Sequence, residues 1–178
     1  ATVFRTTTDW NLIRHCPFPL LLVSDQNSTK GKPVLAAIDV YSDDDNHDKL
    51  NDVILKQTLR LAKVLGSETH VMSSYRTPIP MAAVGSLDTT PYPTPKDLRE
   101  YYKKGVSEFL GGKLAVQAHI EEGPAAIAIN SVSNRIGAGV VVIGTVARKG
   151  VSGVLIGNTA ESVLEAATCD VLVVKLPG

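Results

Sequence analysis

The segment GTVARKGVSGVLIGNTAES, residues 144–162, has the residue types of an anion-binding turn. It follows an apolar run at 139–143 and leads into a stretch with helical spacing from Asn158. Gly144 and Gly157 would allow close backbone approach and a positive φ. Free N–H groups at the start of a helix, here around Asn158 and Thr159, carry a partial positive charge that favours anions. Arg148 and Lys149 add full charges nearby. A blander reading fits the same residues: Gly150 and Gly153 make a flexible loop, and Asn158 or Thr159 caps a helix. The residues alone leave both open. Asp39 is the second candidate, because it stands near the end of the apolar run VLAAIDV, residues 34–40.

Other clusters promise less. Asp43, Asp44, Asp45, His47 and Asp48 have the composition of a divalent-cation site. Placed before a helix, they suit a solvated loop and the helix's positive end better, and no metal site is expected. Trp10, Leu12 and Ile13 read as core. His119, alone in an alternating segment, reads as a packed or surface residue. Nothing in the spacing brings a Ser/His/Asp or Cys/His set together, and no paired carboxylates are evident, so no catalytic residue is assigned. Cys16 and Cys169 lack any CxxC or Cys/His partner and read as reduced thiols, which fits a cytoplasmic setting.

Alternating elements must position these residues. Residues 34–40 predict a buried strand. Leu50, Val53, Ile54, Leu59, Leu61, Ala62 and Leu65 recur mostly at helical spacing, and Gly66 ends the run. Strand 69–75 follows. Residues 76–95 hold five prolines, so no regular element is expected there, and so long a connection suggests a lid or contact surface. Then come a helix over 95–110, a strand over 114–120, a helix from 124 to about 136, a strand over 139–143, a helix over 158–167 and a strand over 170–175. This order predicts an α/β fold with an open, mostly parallel five-stranded sheet, Rossmann-like, with helices on both faces. Ligands of such sheets bind beyond the strands' carboxyl ends at the switch in strand order, which points to Asp39 and the loop after Ile143.

An internal echo bears on domain organisation. TDWNLIRHCPFPLLLV, from Thr8, aligns without a gap with TAESVLEAATCDVLVV, from Thr159, at an offset of 151. Both read as a short capped helix, a turn and an apolar strand. Residues 1–25 are therefore expected to be the last helix and strand of a preceding unit. Residues 26–32 form a polar linker, and 33–178 a complete domain.

The glycine spacing, together with the strand–loop–helix–strand run from Gly144 to Lys175, resembles the signature of universal stress proteins. Nucleotide-binding members of that family carry glycine, two residues, glycine, nine residues, then glycine and a serine or threonine. Here Gly144 takes the first place, Ala147 the second, and Gly157-Asn158 the last pair, with the spacing kept. The TDW and GNTAE segments further resemble the C-terminal half of a tandem, E-type member. The resemblance implies adenosine contacts at Asp39 and phosphate contacts along the loop. The implied ligand set is Ala37, Asp39, Ile143, Gly144, Ala147, Arg148, Gly157, Asn158 and Thr159. Two departures weaken it. Ala147 costs about 1 kcal/mol or more if its site needs φ > 0, and Asn158 replaces a hydroxyl with an amide.

Composition excludes several classes. Eighteen basic residues balance eighteen acidic ones, so no global field draws nucleic acid or anionic lipid. Apolar runs such as 140–143 and 171–174 are too short to span a bilayer, and no export signal is visible at the start. The leading expectation is a non-catalytic stress-response module binding a small ligand. That ligand would be ATP or another adenosine nucleotide, with Mg²⁺ if it is a triphosphate. The alternative is a nucleotide-independent dimerisation or interaction module, or a binder of hydrophobic ligands. It would act as a homodimer or through pairing of tandem domains. A slow ATPase ranks last, because no residue is available to position water.

Overall fold

A computed structural model describes residues 7–24, 28–42, 45–78, 93–112, 115–145, 148–150, 153–155 and 157–176. Five strands run parallel: β2 (Val34–Ala37), β3 (Thr69–Tyr75), β4 (Val116–Glu122), β5 (Val140–Thr145) and β8 (Asp170–Lys175). Their near-continuous Val, Ile, Leu and Ala content follows from burial on both sides of the sheet. A sixth strand, β1 (Leu20–Leu22), joins antiparallel, so the sheet order is β1-β8-β5-β2-β3-β4. The five-stranded sheet expected for residues 33–178 is thus extended by a strand from the first 25 residues.

Two apolar clusters sandwich this sheet. On one face α1 (Thr7–His15), α4 (Ala125–Ile136) and α5 (Asn158–Ala166) supply Ile13, Ile129, Val132, Val163 and Leu164. On the other, α2 (Asp45–Leu65) and α3 (Pro95–Leu110) supply Leu50, Ile54, Leu55, Val106 and Leu110. α3 starts and stops where its sequence says it should. Thr94, just ahead of Pro95, forms a reciprocal capping box with Asp97 in the first turn, and Gly111 closes the helix in the left-handed conformation at φ 55.

The echo has a geometric counterpart. α1 and α5 both run nine residues, beginning at Thr7 and Asn158, again 151 apart. In the β1–β8 ladder Leu21 lies opposite Leu172, its own counterpart at that offset, while Leu20 pairs with Val173 and Leu22 with Val171. The pairing is therefore two-fold symmetric about Leu21 and Leu172. Polar anchors fix it at both ends. Buried Asp170 accepts from the Ser24 backbone N–H at 2.7 Å and from its hydroxyl at 3.0 Å. Lys175 Nζ donates to the Arg14 and Cys16 carbonyls just where α1 ends. Asp170→Ala would strand a buried N–H and is expected to cost about 2–3 kcal/mol. The loss should appear as a lower urea midpoint and faster proteolysis within residues 7–24.

No described helix is long and apolar enough to cross a membrane.

Candidate functional site

Strand order reverses between β2 and β5. From β2 the chain moves to β3 and β4 on one side, and from β5 to β8 on the other. The connections leaving these two neighbours diverge at the carboxyl end of the sheet, which opens the crevice that such folds use for ligands. Asp39 lies just beyond β2, exposed. Its backbone is clamped from α2: Asp39 N–H donates to Asn51 Oδ1 at 3.1 Å, and Asn51 Nδ2 donates to the Asp39 carbonyl at 2.7 Å. Asn51 is itself buried, at 3% exposure, so the clamp is held by the core. Among the described residues, the Asp39 carboxylate receives only the Tyr41 N–H, at 3.4 Å, which leaves it acceptor capacity for a ligand.

The other predicted residues divide. Ala37 ends β2 half-buried, and Ile143 is buried in β5 opposite Val173, so both build the floor. Gly144 does not use the positive φ that a glycine would allow there. A Cβ there would lie 2.5 Å from Leu50 Cδ2 and 3.0 Å from Ile54 Cδ1, so this glycine is dictated by the close approach of α2. Gly157 also lacks a positive φ. It is the N-cap of α5 at φ −65 and makes no side-chain cap. Asn158 and Thr159 are therefore the first residues of the helix rather than its caps, and both are exposed. A helix start without a side-chain cap leaves its first N–H groups to solvent or an anion. Ala147 lies outside the described residues, as do Asp43, Asp44 and most of the proline-rich segment (79–92). Arg148 opens a short hairpin, β6 (Arg148–Gly150) with β7 (Gly153–Leu155), in the segment expected to be irregular. The hairpin pairs part of the loop's backbone with itself.

Two features beside Asp39 escaped the sequence reading. Asn51 stands in register with Leu55, Thr58 and Ala62 on the buried stripe of α2, and a polar residue on such a stripe was the available signal. A tyrosine cluster forms next to it. Tyr41 stacks on Tyr101 at 4.0 Å and meets Tyr102 edge-on at 5.0 Å, while Tyr102 tilts against Tyr75 at 5.6 Å. Tyr41 also lies over Gly105, where a Cβ would come within 2.7 Å of its hydroxyl. Burial, then the Asp39 charge, pushes the Tyr102 hydroxyl above its ordinary pKa, so it stays a neutral donor near that carboxylate. The result is an acidic acceptor beside aromatic surface at one edge of the crevice and the start of α5, without a side-chain cap, at the other. Such a pairing suits a ligand with a polar hydroxylated part, a flat ring and an anionic group.

Residues 32–175 match the profile of the Universal stress protein family. The chain is 35% identical over 187 residues to Universal stress protein E of Escherichia coli (strain K12), a match covering 98% of this chain and 56% of that protein. It spans about half the length of such relatives. A functionally unknown protein from Pseudomonas aeruginosa PAO1 superposes with a TM-score of 0.77 at 34% identity, covering 98% of this chain and 58% of that one. A more distant structure shares the fold at a TM-score of 0.51 and 15% identity, covering 81% of this chain and 91% of that one. It is a universal stress protein family member from Arabidopsis thaliana with AMP bound.

Proposed function

The chain belongs to the universal stress protein family, and on that premise we propose that it is a non-catalytic stress-response module that binds an adenosine nucleotide at the β2–β5 crevice. The observation that carries this reading is the clamped Asp39, whose carboxylate keeps acceptor capacity beyond the Tyr41 N–H, at the end of the sheet where α5 begins without a side-chain cap. Asp39 would accept hydroxyls of the adenosine part. The N–H groups of Asn158 and Thr159 would hold phosphate, with Arg148 supplying charge from the hairpin. Because Gly144 is taken up by α2, phosphate binding in this reading rests on the α5 amides. Mg²⁺ would accompany a triphosphate. The AMP seen in the Arabidopsis relative supports the ligand class.

Thermal unfolding with AMP, ADP and ATP, with and without Mg²⁺, tests the reading. A ligand at ~100 times its Kd stabilises the native state by about 2.7 kcal/mol, a readily measured rise in Tm. Asp39→Ala should lower affinity roughly 10- to 100-fold, because a hydrogen bond to a charged acceptor is worth about 1.5–3 kcal/mol. A flat response to all three nucleotides would sink it.

The two-fold β1–β8 ladder favours a second role, pairing of like domains. In this reading α1 and β1 are the closing elements of a preceding unit, and exposed Phe18, Leu21 and Val23 face that unit. The greater length of the relatives supports it.

A further inference from the structure

His119 is not alone. It stands on the edge strand β4 opposite Met72, and buried His70 lies two residues before Met72 on β3, on the same sheet face. His70 Nδ1 and His119 Nε2 are 2.9 Å apart. The rings are parallel within 10° and their centroids 5.2 Å apart. That separation is close to the greatest that two imidazoles touching at these nitrogens can have. The nitrogens therefore face each other in line, which is the geometry of an N–H···N hydrogen bond. A metal ion held by both rings would instead need their nitrogen axes to meet at an angle, as tetrahedral ligands do. On its far side His70 Nε2 has no hydrogen-bond partner, but the Glu68 carboxylate lies 3.5 Å away and accepts from Gln117. The charges facing His119 are Glu121 on its own strand and Arg135, the one charged residue of α4, which pairs with Glu121.

Proton counting gives the consequence. A neutral pair holds one hydrogen between the rings. One added proton keeps that bond, now charge-assisted, with Glu68 near the cation. A further proton sets N–H against N–H and places two cations in contact. We propose that His70 and His119 form a one-proton latch between β3 and the edge strand β4, which opens in acid when the pair takes up its second added proton. This does not rest on the nucleotide reading. Burial, then His70, then Arg135 hold the His119 pKa below its ordinary 6.5, with Glu121 opposing. A depressed folded value means the latch's stability is full above the unfolded pKa. It drains away as pH falls from there through the folded value. Only Ile120 of β4 is fully buried. Besides the ladder, the strand's polar side-chain ties among the described residues are the surface contacts Gln117–Glu68, Arg135–Glu121 and Thr77–Glu122 and the His70–His119 bond. Opening would bare the edge of β3, a surface able to pair with another strand.

Hydrogen exchange and urea unfolding of the wild type and His119→Gln, between about pH 7.5 and about pH 4.5, well below the ordinary histidine value, test the latch. Glutamine keeps a hydrogen-bonding group in reach of His70 Nδ1 but cannot titrate. After correction for intrinsic exchange, wild-type β4 amides should speed up relative to β8 by on the order of threefold or more at the acid end. The urea midpoint should fall with them. His119→Gln should show neither change. Parallel behaviour of the two proteins would overturn the proposal. So would a rise in wild-type Tm with Zn²⁺ that His119→Gln abolishes, since the pair would then be a metal site.

Discussion

Gly144→Ala is expected to destabilise the protein by about 1–3 kcal/mol, and Gly144→Val by more, through overpacking. The added methyl would stand 2.5 Å from Leu50 Cδ2 and 2.6 Å from its Cγ, with Ile54 Cδ1 at 3.0 Å. Leu50 and Ile54 are each 3% exposed, so neither can swing into solvent. Backbone strain plays no part, because φ at this position suits any residue. The cost is entirely the separation between α2 and β5. Urea denaturation measures it, and a second substitution identifies its source. In a Leu50→Ala background the new methyl enters space the leucine has vacated, so Gly144→Ala should cost much less there. Equal costs in both backgrounds would mean that α2 does not press on this glycine.

Gly144 also shows where the sequence was ambiguous. A glycine between a strand and a loop fits a phosphate turn and a helix-packing site equally well, and only the placement of Leu50 and Ile54 separates them. Local punctuation was more readable: Pro95 and Gly111 bracket α3 as expected, because a missing N–H and a left-handed cap act within one turn. The parallel sheet was legible for a similar reason, since runs such as VVVI survive only when covered on both faces. Long-range partners left no such trace. Nothing in SDQNST or in DVLVVK says that Ser24 meets Asp170, 146 residues away. His119 looked isolated because His70 lies 49 residues earlier, and only the β3–β4 register brings the two together. The β6–β7 hairpin was missed because three-residue strands flanked by glycines carry no periodicity to read.

Asn51 links that packing to the proposed ligand site. Asn51→Ala should weaken nucleotide binding on the order of tenfold or more, while lowering stability by about 1–3 kcal/mol. The stability loss follows from leaving the Asp39 N–H and carbonyl without the partners they now have at 3.1 and 2.7 Å. The binding loss has a different origin. Asn51 would never touch ligand; it fixes where the Asp39 carboxylate points, and a wrongly aimed acceptor loses a directional bond. Stability and positioning are separated by calorimetric titration well below the Tm of each variant, so that every protein measured is folded. A double-mutant cycle completes the argument. If Asn51 acts through Asp39, then Asn51→Ala in an Asp39→Ala background should reduce affinity no further, because nothing remains to be aimed. Additive losses would show that Asn51 shapes the crevice by another route, and undiminished binding in Asn51→Ala would remove Asp39's clamp from the mechanism altogether.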